Sequence, residues 1–207
     1  MTRDNLTRAV EETGVSYHTQ VGYITIPKIV EIFSEKTVKK LLPAYFPGEQ
    51  VDQYYFLTRT ICGDPDKRMT EKGDGLAYDR ILAILTRREK GHILGEFIRQ
   101  TVNNGRLPIK EKDHLPPATY DWTMSDQMSF IQDQWMVLAP IFGPETGLPV
   151  AKAYETFDHQ PLPFNCNKGE RKEGGFGQID RVTILKGHNK FKDYEVRSSG
   201  IMGLPFH

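Results

Sequence analysis

The chain has 207 residues, with 27 Lys+Arg balanced by 27 Asp+Glu, and 38% apolar, 26% charged and 11% aromatic residues. That is the composition of a folded globular chain rather than a disordered one, long enough to bury roughly 70% of its unfolded surface in one domain or two small ones. Balanced charge gives no global field for nucleic acid or an anionic membrane, and the longest apolar run, Trp135 to Phe142, is far short of the roughly 20 residues that span a bilayer.

The first residues, Thr2 to Arg8, lack the apolar core of a signal peptide, and Cys62 and Cys166 have no CxxC spacing. Both features predict an intracellular chain, cytoplasmic or nuclear, with reduced thiols. Residues 1–106 read as a helical leader. Ile26, Ile29, Val30, Phe33 and Leu41 keep near-3.6 spacing, Thr25 and Pro27 suit a helix start, and Leu41-Leu42-Pro43 is expected to end that helix. A second helix is predicted over Asp52 to Ile61 and a turn over Gly63 to Lys67. The clearest helical pattern runs from Leu76 to Arg88, with Ala77, Ile81, Leu82, Ile84 and Leu85 on one face; Gly91 interrupts it, and a further helix stops at Asn104-Gly105.

Residues 107–160 read as a linker with a short helix and a strand. Pro108, Pro116 and Pro117 predict extended backbone, Ser125 is the expected N-cap of the helix, and Met136 to Phe142 the expected strand. Residues 161–207 switch to strand pattern: Pro161 to Phe164, a glycine-rich hairpin, then Arg181 to Lys186. Two strands alone are marginal and leave an open edge, so the hairpin is expected either to dock on the helical part or to be poorly ordered.

Lys172 to Val182 holds the one pattern that suggests chemistry. Glycines let main-chain N–H groups approach anionic oxygens, and an aromatic tip shields those bonds from water. Gly174, Gly175 and Gly177 supply the glycines, Phe176 the tip, and Ile179 the branched position that would pack on a base. A hairpin that uses glycine only for its own turn fits the same pattern equally well.

Competing sites are weaker. The six histidines have no metal-ligand spacing and read as surface or hydrogen-bonded groups. Asp64 and Asp66 lack the rest of a calcium loop. Arg87-Arg88-Glu89-Lys90 reads as the solvated last turn of a helix, Cys62 and Cys166 as idle thiols, and Trp122, Trp135, Tyr54, Tyr55 and Phe56 as core.

In order, Gln134-Trp135 to Phe142, Leu162-Pro163-Phe164, Gly174 to Ile184 and His188 to Phe191 resemble a large family of protein kinase-like proteins of filamentous fungi. Ile81 to Leu85, Lys90 to His92, Phe97-Ile98 and Leu107-Pro108 look like the helical leader of that family. The resemblance implies an α+β fold: a mainly helical N-terminal region, then an incomplete protein kinase-like N-lobe β-hairpin. By the same resemblance Gly174 and Gly177 match the second and third loop glycines and Ile179 the residue over the adenine, while Lys172 stands where the first glycine belongs.

In full-length relatives the resemblance implies a Ser/Thr-type kinase binding ATP and magnesium. In this sequence Tyr194 to Leu204 contains no lysine, and neither His-Arg-Asp nor Asp-Phe-Gly occurs, so no catalytic or metal-binding residue is assigned. The expectation is a gene product cut short, with a weak or vestigial ATP-phosphate loop. The alternative is a non-catalytic helical module that binds a protein partner through Tyr54 to Leu57 and the helix from Leu76 to Arg88.

Overall fold

A computed structural model describes residues 22–64, 75–110, 114–142, 160–174 and 177–184, together with Asp4, Arg8, Lys67 and His188. The N-terminal region is mainly helical, as its periodicity requires. Helix α1 spans Ile26–Ile32, α2 Glu35–Tyr45, α3 Val51–Cys62, α4 Asp79–Arg87, α5 Leu94–Arg99 and α6 Met124–Asp133. Strands β1, Phe164–Gly174, and β2, Gly177–Ile184, follow as an antiparallel ribbon.

Local signals explain most of the starts. Thr25 caps α1, its Oγ1 accepting from Lys28 N, with Pro27 in the first turn. Gln50 and Gln53 cap α3 reciprocally. Helix α6 begins at Thr123 rather than at the expected Ser125: Thr123 Oγ1 accepts from Asp126 N at 3.1 Å, and Asp126 Oδ2 accepts from Thr123 N at 3.3 Å. A reciprocal box satisfies two orphan N–H groups where a lone serine would satisfy one. The Thr123 hydroxyl, donating to Asp126 Oδ2 at 2.9 Å, holds the Asp126 carboxyl below its usual range, with a smaller contribution from the Thr123 N–H.

Pro43 does not end a helix. The chain breaks earlier, at Phe33-Ser34, and α2 runs through Pro43 into its last turn. There the proline removes one bond and its ring faces outward, which the helix tolerates near its end. Met136 to Phe142 is likewise no strand: Gln134–Val137 is a 3₁₀ turn.

Helix α4 organises the core. Eight of its residues, from Asp79 to Thr86, are buried, so the pattern that looked amphipathic belongs to a helix enclosed on every side. It packs against α1, α3, α5 and α6. Phe97, Phe130 and Trp122 stack over one end of the core, with centroid separations of 5.5 and 6.0 Å. Helices α4 and α5 both end on non-glycine residues in left-handed geometry, Glu89 (φ 57°) and Thr101 (φ 53°). Lys90 N to Leu85 O and Val102 N to Phe97 O close these ends as Schellman turns.

The Arg87-Arg88-Glu89-Lys90 cluster is only partly solvated, with Glu89 exposed and the three cations half-buried. Arg87 Nε and Arg88 Nε lie 3.4 and 2.5 Å from Asp133 Oδ2, and Lys90 Nζ sits 5.7 Å from the centre of the Trp122 ring. These groups tie the end of α4 to α6. Gly91 serves packing more than helix termination, since a Cβ there would overlap the Tyr45 ring, and one at Gly95 would lie 2.9 Å from Phe46 Cε1.

Two outcomes follow for stability. Leu82→Ala should lower unfolding free energy by about 2–5 kcal/mol in a denaturant titration followed by circular dichroism. Gly91→Ala should cost about 1–3 kcal/mol by overpacking, and adding Tyr45→Leu should recover part of that loss. Equal costs with and without Tyr45 would contradict the close approach.

Candidate functional site

Backbone register fixes what the glycine-rich ribbon looks like. Gly174 pairs with Gly177 at its far end, Glu173 with Gln178, and Lys172 with Ile179. The residue that stands where a first glycine would be therefore faces the residue assigned to the base. Gly175 and Phe176 lie outside the described residues. Between the pairs Cys166↔Val182 and Arg171↔Asp180, the backbone from Asn167 to Glu170 runs opposite Arg181 alone. Such a bulge bends a ribbon and breaks its two-residue alternation. Pro161 to Pro163, expected to be strand, is buried non-strand backbone, and β1 begins at Phe164.

Both chain ends flanking the ribbon are seated on the helical body. On the entry side, Gln160 Nε2 donates to Leu138 O at 2.7 Å, and the Phe164 ring lies 4.9 Å from that of Phe142. On the exit side His188 is fully buried. Its backbone carbonyl accepts from Phe142 N at 2.7 Å, and its Nδ1 donates to Pro140 O at 2.6 Å. Its ring meets Tyr23 edge-on at 5.9 Å. Of the two expectations for the histidines, surface or hydrogen-bonded, His188 takes the second.

The seat itself, Gln134 to Phe142, is held from below. Gln134 is buried and bonds both ways to the Ile109 backbone: its Oε1 accepts from Ile109 N at 2.7 Å and its Nε2 donates to Ile109 O at 2.8 Å. Ile24 N donates to Met136 O at 2.8 Å, which joins the N-terminal segment to the same strip. The stretch expected to be a linker is therefore the surface on which the ribbon rests.

Beneath the seat is a buried polar knot. Asp79 Oδ1 accepts from Asn104 Nδ2 at 2.6 Å and from Arg80 N at 2.9 Å. The Arg80 guanidinium is almost fully buried, and desolvation lowers its pKa while the Asp79 charge opposes that shift. Burial lowers the His188 pKa too; its bond to Pro140 O acts upward and the Arg80 charge downward. Because Nδ1 donates to a carbonyl, Nε2 carries the lone pair of a neutral ring, and it is buried without a hydrogen-bond partner. Sequence patterning could not find this knot, since Asn104 reaches Asp79 from 25 residues away through packing.

Of the residues assigned to phosphate and base, Gly174, Gly177 and Ile179 lie in the ribbon, away from the knot in sequence. Nothing nucleophilic or acidic is placed opposite them by the register. Among the described residues no cluster of three His, Cys, Asp or Glu side chains could hold a metal. An open cleft of about 430 Å³ lies between α2 and α5, lined by Tyr45, Phe46, Glu49, His92, Glu96 and Arg99. Glu96 in it is already ion-paired to Arg99. No helix among the described residues is long and apolar enough to cross a membrane. The chain matches no protein-family model, no curated protein and no solved structure.

The seat makes stability depend on pH from both sides. His188 has a folded pKa below its ordinary 6.5, so its contribution is complete above that value and is lost as pH falls through the window beneath it. Tyr23 is raised from 10.0 to about 12 by burial, so its contribution is complete below 10.0 and is lost as pH rises toward 12. Melting temperature should therefore form a plateau between these limits. His188→Gln should flatten the acid limb and leave the alkaline one. An unchanged acid limb would count against a buried neutral histidine.

Proposed function

We propose that the helical region is a platform that seats a degenerate nucleotide-phosphate hairpin, and that the 207-residue chain binds ATP weakly without transferring phosphate. The observation that supports this reading is the double anchoring of the ribbon: Phe142 contacts Phe164 on one side and His188 on the other. Its glycines, Gly174 and Gly177, pair at the end remote from that anchor. A lid over phosphates needs this combination of a fixed base and a glycine-bearing tip.

Magnitudes set the limit. Each main-chain bond to a phosphate contributes roughly 1.5–3 kcal/mol, whereas association costs about 4–15 kcal/mol. Without a phosphate-pairing lysine or an aspartate to hold magnesium, affinity should be about 1 mM or weaker. Transfer also needs an aspartate that accepts the substrate proton, and the sequence has no His-Arg-Asp or Asp-Phe-Gly motif. Magnesium would then be held by nucleotide phosphates, with no resident protein ligand. The kinase-like origin and a cytoplasmic or nuclear setting are parts of the same proposal; the latter is supported by cysteines without paired spacing.

Thermal-shift titration with Mg-ATP tests it. The melting temperature should rise with half-effect at about 1 mM or above. Gly174→Asp with Gly177→Asp should remove that rise while leaving the ligand-free melting temperature in place. Phosphate release by the purified chain, or a double variant that responds to ATP like the parent, would reject the reading.

A second reading has its own support. The helical region carries exposed apolar side chains on α3, with Val51 80%, Tyr55 55% and Phe56 69% exposed. That favours a protein-interaction module, and it corrects the expectation that Tyr55 and Phe56 are core. The helix from Asp79 to Arg87 takes no part in such a surface, because Asp79 to Thr86 are buried.

A further inference from the structure

Helices α2 and α3 pack side by side, and their outer face combines apolar and basic groups. Val51, Tyr55, Arg59, Asp52 and Phe56 fall on one arc of α3, since residues four apart lie nearly above one another on a helix. Tyr55 carries a cation over its ring: Lys39 Nζ sits 5.4 Å from the ring centre. Such an exposed aromatic beside a second one is the low-entropy anchor from which hot spots are built.

The charges on this face are unbalanced. Lys36, Lys39, Lys40 and Arg59 are exposed, and among the described residues none has a carboxylate within ion-pair distance. Glu35 and Asp52 are the acidic groups exposed on the same two helices. Resting on the second reading above, we infer that the α2–α3 face receives an acidic, apolar segment of a protein partner. Its apolar side chains would cover Val51, Tyr55 and Phe56, and its carboxylates would meet the four cations. An anionic bilayer fits less well: a continuous negative plane attracts the lysines but repels Glu35 and Asp52, whereas a discrete segment can place carboxylates only where cations wait.

The test uses the full chain and a fluorescein-labelled amphipathic helix of about 16 residues, leucines on one face and glutamates flanking them. Anisotropy should show saturable binding, weakened about tenfold by Phe56→Ala and by Lys36→Glu with Lys40→Glu. Added salt should weaken the parent more than the charge variant. Melting temperatures should not move, because these side chains are exposed. A lysine-flanked version of the probe should bind about tenfold less well.

A photo-crosslinking residue placed at Phe56 should capture the probe, and one at Met128, on the separate exposed strip of α6, should not. Capture at Met128 alone would refute this face while leaving a peptide-binding helical body. Capture at neither, with no anisotropy change, would refute both. Binding to phosphatidylserine vesicles but not to the acidic probe would also overturn the assignment.

Discussion

Enclosure of α4 is the constraint on which the remaining structure depends. A helix with Ile81, Leu82, Ala83, Ile84 and Leu85 all buried has no face left for water, so every neighbour is recruited to cover it. Helices α1, α3, α5 and α6 supply that cover. The cost is that Asp79, Arg80 and Thr86 go under with the apolar residues. Asp79 is bonded to Asn104 and to the helix backbone, which makes its burial tolerable. Arg80 is the expensive member, because a buried guanidinium held by long-range attraction to one carboxylate keeps much of its desolvation penalty.

The ribbon inherits its position from this core. Gln134 replaces missing backbone partners for Ile109, Met136 bonds to Ile24, and the strip that results carries Pro140 and Phe142 to the surface where His188 and Phe164 dock. A hairpin that is marginal by itself becomes anchored at its base by aromatic packing and three short hydrogen bonds. At its far end β1 and β2 pair through Gly174 and Gly177. The two exposed aromatics of α3, Tyr55 and Phe56, belong to a helix that contributes no residue to the seat.

What could be read from the sequence follows the range of the forces involved. Helices set by local periodicity and caps, such as α1 with Thr25 and Pro27, were legible because their determinants lie within one turn. The expected strand at Met136 to Phe142 failed because an apolar run signals burial without saying in what conformation, and Gln134 supplies a long-range bond that makes a 3₁₀ turn there. Gly91 read as a stop, yet its role is to admit Tyr45, a contact with no local trace. Tyr55 and Phe56 read as core because hydrophobicity does not report which face of a helix finds a partner. Glycines at Gly174 and Gly177 were legible as a turn, while the bulge at Asn167 to Glu170 was not, since its register is set across strands.

The ribbon's base is part of the helical core rather than an appendage to it. Native-state hydrogen exchange tests this at one amide, Phe142 N, whose acceptor is the His188 carbonyl. This amide should exchange with an opening free energy close to that of the α4 amides from Leu82 to Leu85. Free exchange at Phe142 while α4 stays protected would show that the seat opens alone, and the coupling of hairpin to core would be wrong.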